Sequence, residues 1–232
     1  MKPDTIVCGD CLDVMRGMQD ECVDLIVADP PYGINYVSAR PKHRRDIHVP
    51  IANDSDAIWD VWPRIARELY RIAKDDAAMF AFTRWDMWGK LTGGCAPWVV
   101  KNMIVWDKGT HTAGDLTGNY GFAHELICYA VKGRPLVRGK RLWNVWRYAK
   151  IPPTRLSHSM QKPIALIGVA IRSMSNKGDL VFDPFLGSGT TVVAAKKQGR
   201  HYFGCDISQE YVDMTNKRLA RVTGIQLPLL DV

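Results

Sequence analysis

The 232-residue sequence contains no apolar run close to the roughly 20 residues that a membrane-spanning helix needs. Its first residues, Met1-Lys2-Pro3-Asp4, carry no secretory leader pattern, because Asp4, Asp10 and Asp13 interrupt any apolar stretch. Both features point to a cytoplasmic protein. Six cysteines without an export signal do not suggest a disulfide framework. Cys8-Gly-Asp-Cys11 has C-x-x-C spacing, but no second pair and no H-x-x-x-H follow, so no metal centre is expected.

A second shortage is more telling. Between Leu126 and Gly178 there is neither Asp nor Glu, yet eleven basic residues lie there. The other 20 basic residues face all 24 acidic ones, so the remainder of this +7 chain is slightly acidic. A solvated basic face is the ordinary reading of a charge run. A long stretch with no compensating acid in an otherwise acidic chain fits a polyanionic partner better, and nucleic acid is the first such partner.

What is present reads as one globular α/β domain, since apolar residues make up 47% of the chain. Strand-like runs at 5–8, 23–28, 77–82, 99–106, 125–131, 180–182 and 202–205 alternate with helical patterns. Trp59, Trp62, Ala66, Leu69 and Ala73 keep helical spacing after the capping residues Asn53-Asp54-Ser55-Asp56, and Pro63 falls early in that helix or kinks it. Such alternation predicts a doubly wound, mainly parallel sheet with helices on both faces. The segment 132–157 breaks the rhythm. Gly133, Pro135, Gly139, Pro152 and Pro153 punctuate it, and its aromatics interleave with Arg and Lys as on a nucleic-acid surface.

Two strand ends carry the chemistry. The run Asp24–Ala28 stops at Asp29-Pro30-Pro31-Tyr32, where prolines cannot continue a ladder. Asp183–Thr191, "DPFLGSGTT", joins a strand to a helix, and Gly187 and Gly189 permit positive φ and close approach of a ligand. No Lys-Ser or Lys-Thr pair follows, and Val192 stands where a third glycine would complete the dinucleotide pattern. Asp206, at the end of the next strand, is placed to accept from ribose hydroxyls. The corner therefore asks for a nucleoside without a pyrophosphate, and S-adenosylmethionine meets that description.

These residues resemble the amino-directed DNA methyltransferases. Asp-Pro-Pro-Tyr at 29–32, followed by Asp-Pro-Phe-x-Gly-x-Gly-Thr at 183–190 with a basic segment between, looks like their β group. The resemblance implies a circularly permuted, Rossmann-like class I methyltransferase fold. It divides the chain into a catalytic part at 1–131, a small target-recognition insertion at 132–157 and an S-adenosylmethionine-binding part of the same domain at 158–232. "CGDCLDVM" at 8–15 resembles the segment bordering the cofactor adenine, with Asp10 and Cys11 as contacts. "HELICYAVKG" at 124–133 resembles the segment forming the target-base pocket. "HSMQKP" at 158–163 resembles a motif that closes the cofactor pocket through Gln161 and Lys162, with Ser159 replacing the usual Pro.

The implied catalytic residues are Asp29, Pro30, Pro31 and Tyr32. The implied cofactor contacts are Asp10, Cys11, Asp29, Gln161, Lys162, Asp183, Pro184, Phe185, Gly187, Ser188, Gly189, Thr190 and Asp206. DNA contacts are expected from a first cluster, Arg40, Lys42, Arg44 and Arg45, and from Arg134, Arg138, Lys140, Arg141, Arg147, Lys150 and Arg155. The implied reaction is site-specific methylation of a flipped-out adenine at N6 in double-stranded DNA, because Asp at the first motif position tends to accompany adenine. Methylation of cytosine N4, of RNA or of a protein glutamine, and a non-catalytic DNA-binding protein of the same fold, are the competing readings. Relatives of this group are often dimers, and the sequence leaves a homodimer and a restriction-enzyme partner open.

Overall fold

The computed structural model describes residues 1–32, 57–111, 117–152 and 161–222. Eight strands form one mixed sheet: β1 (Thr5–Cys8), β2 (Val23–Ala28), β3 (Ala73–Thr83), β4 (Val99–Asp107), β5 (His124–Val131), β6 (Val145–Arg147), β7 (Leu180–Asp183) and β8 (His201–Asp206). Their order across the sheet is β1-β8-β7-β2-β3-β5-β4-β6. β5 runs antiparallel between β3 and β4, and every other neighbouring pair is parallel. The helices are α1 (Cys11–Arg16), α2 (Ala57–Ile72), α3 (Trp88–Gly93), α4 (Ile164–Met174), α5 (Thr190–Lys197) and α6 (Gln209–Ala220).

The period-2 alternation of the central strands decides which helices cover which face. Ile26, Ala28, Met79 and Ala81 pack on one side with Trp59, Trp62, Ala66 and Leu69 of α2 and with Met15 of α1. Leu25, Val27, Phe80 and Phe82 pack on the other side with Leu166 and Ala170 of α4 and with Val192 and Ala195 of α5. Both faces of β2 and β3 are therefore buried, and the run VDLIVA is almost continuously apolar for that reason. Pro63 lies inside α2, and Ala73, expected to continue that helix, instead begins β3.

The sheet's two edges have different roles. β2, β3, β7 and β8 all end at the same edge, so Asp29, Arg84, Pro184 and Ile207 follow directly from it. β5 starts at that edge and leaves at the opposite one, because Thr83 pairs with Leu126 while Ala78 pairs with Val131. The chain from 132 onward therefore begins at the far edge. It returns only along β6, where Val145–Arg147 pair with Val105–Asp107. The sequence pattern does not mark β6, since three residues within an irregular, proline-punctuated stretch give no periodic signal. Trp146 anchors it by packing against Phe80.

Among the described residues, no helix is long and apolar enough to cross a membrane. The capping residues at 53–56 and the basic residues Arg40, Lys42, Arg44, Arg45 and Arg155 lie outside the described residues, as does His158.

Candidate active site

β2 ends at Ala28, and the next four residues bend over a cleft at the carboxyl edge of the sheet. The cleft is lined by Asp29, Pro30, Pro31 and Tyr32 from this corner, by Asp183–Ser188, Thr190 and Thr191 from the β7–α5 corner, and by Asp206 at the end of β8. Phe82, Lys162 and Tyr211 also line it, with Val27, Ile167 and Ile207. Two motifs about 150 residues apart in the chain thus share one site, because β2 and β7 are adjacent strands.

The glycine corner is held from several sides. Gly187 N–H donates to Asp206 Oδ2 at 2.8 Å, and Ser208 N–H donates to Asp206 Oδ1 at 2.9 Å. Arg218 and Thr215 of α6 donate to the carbonyls of Ser188 and Gly187. The two glycines differ in kind. Both have positive φ, but a Cβ on Gly187 would meet only the Phe185 carbonyl at 3.9 Å, whereas one on Gly189 would strike Thr215 at 2.3 Å. Gly187 therefore gives a ligand access to the backbone. Gly189 instead lets α5 start against α6, and it is not part of the lining.

Among the described residues, three carboxylates face this cleft, those of Asp29, Asp183 and Asp206. Asp183 is almost fully buried and accepts from Phe185 N–H at 3.0 Å. Burial pushes its carboxyl up to about 7; Thr191 and the Phe185 N–H oppose that rise, and the charges of Asp29 and Asp206 add to it. Burial also raises the Asp206 carboxyl, against the N–H groups of Ser208 and Gly187. Such a set suits a cationic ligand and not a phosphate, and the one lining cation among the described residues, Lys162, is already paired. An S-adenosylmethionine-type ligand, positively charged at sulfur and amine, fits these residues.

Asp29 is the most heavily engaged. Lys162 Nζ lies 2.7 Å from its Oδ2, and the Tyr32 hydroxyl donates to its Oδ1 at 2.9 Å. Lys162 also lies 3.3 Å from Glu125 and over the rings of Tyr32 and Phe82. Burial alone would lower the Lys162 ammonium, but Asp29 and Glu125 hold it above the ordinary lysine range. Burial, then Asp29 and Glu125, raise the Tyr32 hydroxyl far above its ordinary value, so it stays a neutral donor. Among the described residues, the Pro30 carbonyl accepts no hydrogen bond, as expected where proline ends a ladder.

Other expected residues fall elsewhere. Asp10 caps α1 by accepting from Leu12 N–H at 2.8 Å, and neither it nor the buried Cys11 lines the cleft. Gln161 precedes Lys162 but is outside the lining. Of the basic segment, Arg147 pairs with Asp107 at 2.8 Å at the cleft edge of the sheet, and Lys150 lies within the electrostatic reach of Lys108 and Glu125. Arg134 and Arg138 sit at the opposite edge. Arg134 N–H donates to Asp76, and the Arg138 side chain donates to Asn176 beyond the far end of α4. Lys140 and Arg141 are exposed on the return path.

Glu125 and Lys108 join this site through Lys162, although neither is among the site residues expected from the sequence. Burial would raise the Glu125 carboxyl, but Lys162 and Lys108 hold it below the ordinary range. One signal was available: Glu125 is the last acid before the acid-free stretch, and it opens an apolar strand.

A family model described as DNA methylase matches residues 23–217. A protein named as a methylase, YubD of Escherichia coli K12, is 33% identical over 92% of this chain and 89% of its own length. The DNA adenine methyltransferase YhdJ of the same organism is 27% identical over 93% of this chain and 82% of its own. Two solved structures share the fold. The M1.HpyAVI–SAM complex has a TM-score of 0.71 at 21% identity, covering 93% of this chain and 98% of its own. The cytosine-N4-specific PvuII DNA methyltransferase has a TM-score of 0.73 at 14% identity, covering 97% of this chain and 89% of its own.

Proposed function

This chain belongs to the DNA methylase family that acts on amino nitrogens, and from that premise we propose that it methylates N6 of adenine in double-stranded DNA, using S-adenosylmethionine. One observation carries the reading: the β2 corner bearing Asp29 and Pro30 shares a cleft with the glycine corner and Asp206. YhdJ, named for adenine, supports that base. PvuII, named for cytosine N4, shares the fold and keeps cytosine as the second reading.

When bound, S-adenosylmethionine supplies a methyl group activated by a sulfonium. Asp183, Asp206 and the opened backbone at Gly187 hold that cofactor. An exocyclic amine is a poor nucleophile because its lone pair is delocalised into the ring. Asp29 accepts one amino N–H and the Pro30 carbonyl accepts the other. Two such acceptors favour a tetrahedral nitrogen and stabilise its developing positive charge. The prolines fix the second acceptor. The Tyr32 ring offers a stacking surface for a base removed from the duplex, returning on the order of 1–3 kcal/mol of the unstacking cost. Transfer is then a matter of positioning.

Residues 132–157 serve as the target-recognition segment of a single domain, with the part from Lys140 to Lys150 on the DNA side. That narrowing rests on the placement of Arg147 and Lys150 near the cleft edge. The deciding experiment is expression in a methylation-free host, followed by sequencing that detects modified bases directly. N6-methyladenine at a recurring site supports the proposal. N4-methylcytosine selects the second reading, and unmodified DNA overturns both.

A further inference from the structure

Among the described residues, four buried or half-buried charges are linked around Tyr32. Lys108 Nζ lies 2.5 Å from Glu125 Oε1, and Glu125 Oε2 lies 3.3 Å from Lys162 Nζ. Lys162 Nζ lies 2.7 Å from Asp29 Oδ2. The Tyr32 hydroxyl bridges Asp29 Oδ1 at 2.9 Å and Glu125 Oε2 at 3.3 Å. Two ammonium groups balance two carboxylates, and the four residues come from four separate places: β2's end, β4's end, β5's start and the entry to α4.

A buried ammonium requires a partner, and Lys162 has two. One suffices for burial, so the second demands its own explanation. The Lys162 ammonium occupies a hydrogen-bonding site on the very carboxylate that the proposed reaction uses for the amine. It also opposes the reaction electrostatically. As the amine lone pair forms the new N–C bond, the S–C bonding pair stays on sulfur, and the positive charge passes to nitrogen. One amine proton then leaves to water by way of Asp29. An uncompensated cation touching Asp29 would disfavour each of these events.

Resting on the methyltransferase reading above, we propose that Glu125, anchored by Lys108, is a positioning residue that takes the Lys162 ammonium from Asp29 when the target amino group enters. Asp29 then keeps its full charge for the amine. In the base-free protein, Lys162 stands in for that amino group and keeps the carboxylate paired. Glu125 can take the ammonium without the other buried cation losing its partner, because Lys108 holds the opposite oxygen.

The test uses Glu125→Gln, which keeps the shape and removes the charge, once the methylated site is known. Two readouts are taken. The first is the single-turnover rate of methyl transfer, with cofactor affinity measured by calorimetry. The second, in cofactor-free protein, is affinity for a duplex bearing the target adenine against one bearing purine, which lacks the amino group. The variant is expected to lose about tenfold or more in transfer rate, the range of a charged hydrogen bond, with cofactor affinity unchanged. Preference for the amino-bearing duplex is expected to fall towards unity. Adding Lys162→Met to Glu125→Gln is expected to recover part of the rate, since the uncompensated cation is gone. Lys108→Met is expected to shift both readouts in the same direction by a smaller factor, and it decides the matter if Glu125→Gln does not fold. Wild-type rate and wild-type preference in Glu125→Gln, or in Lys108→Met where that variant decides, would overturn the inference. A wild-type protein that transfers no methyl to DNA would instead overturn the function on which it rests.

Discussion

Lys162 Nζ lies 2.7 Å from Asp29 Oδ2 across 133 residues of sequence. The carboxylate that follows β2 is therefore paired, and its chemistry begins from that pair. Asp29→Asn keeps the shape and one acceptor while removing the charge. It is expected to cut methyl transfer by about 10²–10³-fold, the scale for losing a charge-stabilising group in a closed site. Cofactor affinity by calorimetry is expected to stay within a few-fold. Near-wild-type transfer would remove Asp29 from the mechanism.

Asp183 sets a pH dependence. Its carboxyl sits at about 7 in the cofactor-free protein, so it is largely protonated at pH 5 and largely ionised at pH 8. A cationic ligand favours the ionised form. S-adenosylmethionine affinity is expected to rise by up to tenfold per pH unit below about 7 and to level off above it. The stability of the ligand-free protein runs the other way. A carboxyl raised above its ordinary 3.8 favours the folded state at low pH, and that contribution fades as pH rises through about 7. Asp183→Asn is expected to flatten both profiles. Calorimetric titration and thermal melts between pH 5 and pH 8 check them, and an affinity profile with wild-type slope in the variant would exclude Asp183 as the titrating group.

The two ends of the basic segment are separable. Arg147 and Lys150 lie on the cleft side, while Arg134 and Arg138 are at the far edge of the sheet. Replacing Arg147 and Lys150 with Ala is expected to weaken DNA binding and to lower the slope of log affinity against log salt by about 2, roughly one unit for each phosphate contact. The pair Arg134→Ala and Arg138→Ala is expected to leave that slope unchanged. Equal effects from both pairs would mean that DNA wraps the molecule more widely than the cleft edge.

Gly187 and Gly189 should fail differently. Gly189→Ala forces a Cβ into Thr215 and strains a φ of +74°, so it is expected to lower stability by about 2–4 kcal/mol. Gly187→Ala has open space and strains only its φ of +48°, with an expected cost of about 1 kcal/mol. Its main loss should be in cofactor affinity, because the methyl group enters the cleft. Denaturant melts and calorimetry together distinguish the two.

The α/β alternation, both motif corners and the family were legible from local pattern. Apolar period, the proline stop at Asp29 and the glycine pair at 187 and 189 are properties of neighbouring residues, and a chain reports those directly. Composition also exposed the acid-free stretch. It could not say which part of that stretch faces the cleft, because the antiparallel course of β5 sends residue 132 to the far edge before β6 brings the chain back. Nor could spacing show that Asp10 and Gly189 have structural partners, or that Lys162, Glu125 and Lys108 converge on Asp29. Those charges come from strands and turns far apart in sequence, and only packing into one low-dielectric corner makes them a single group. The sequence by itself determined where β2 and β7 stop and the chemistry each of those ends carries. Tertiary structure decided which of those ends meet, because a buried charge must find its partner wherever the fold brings one within reach.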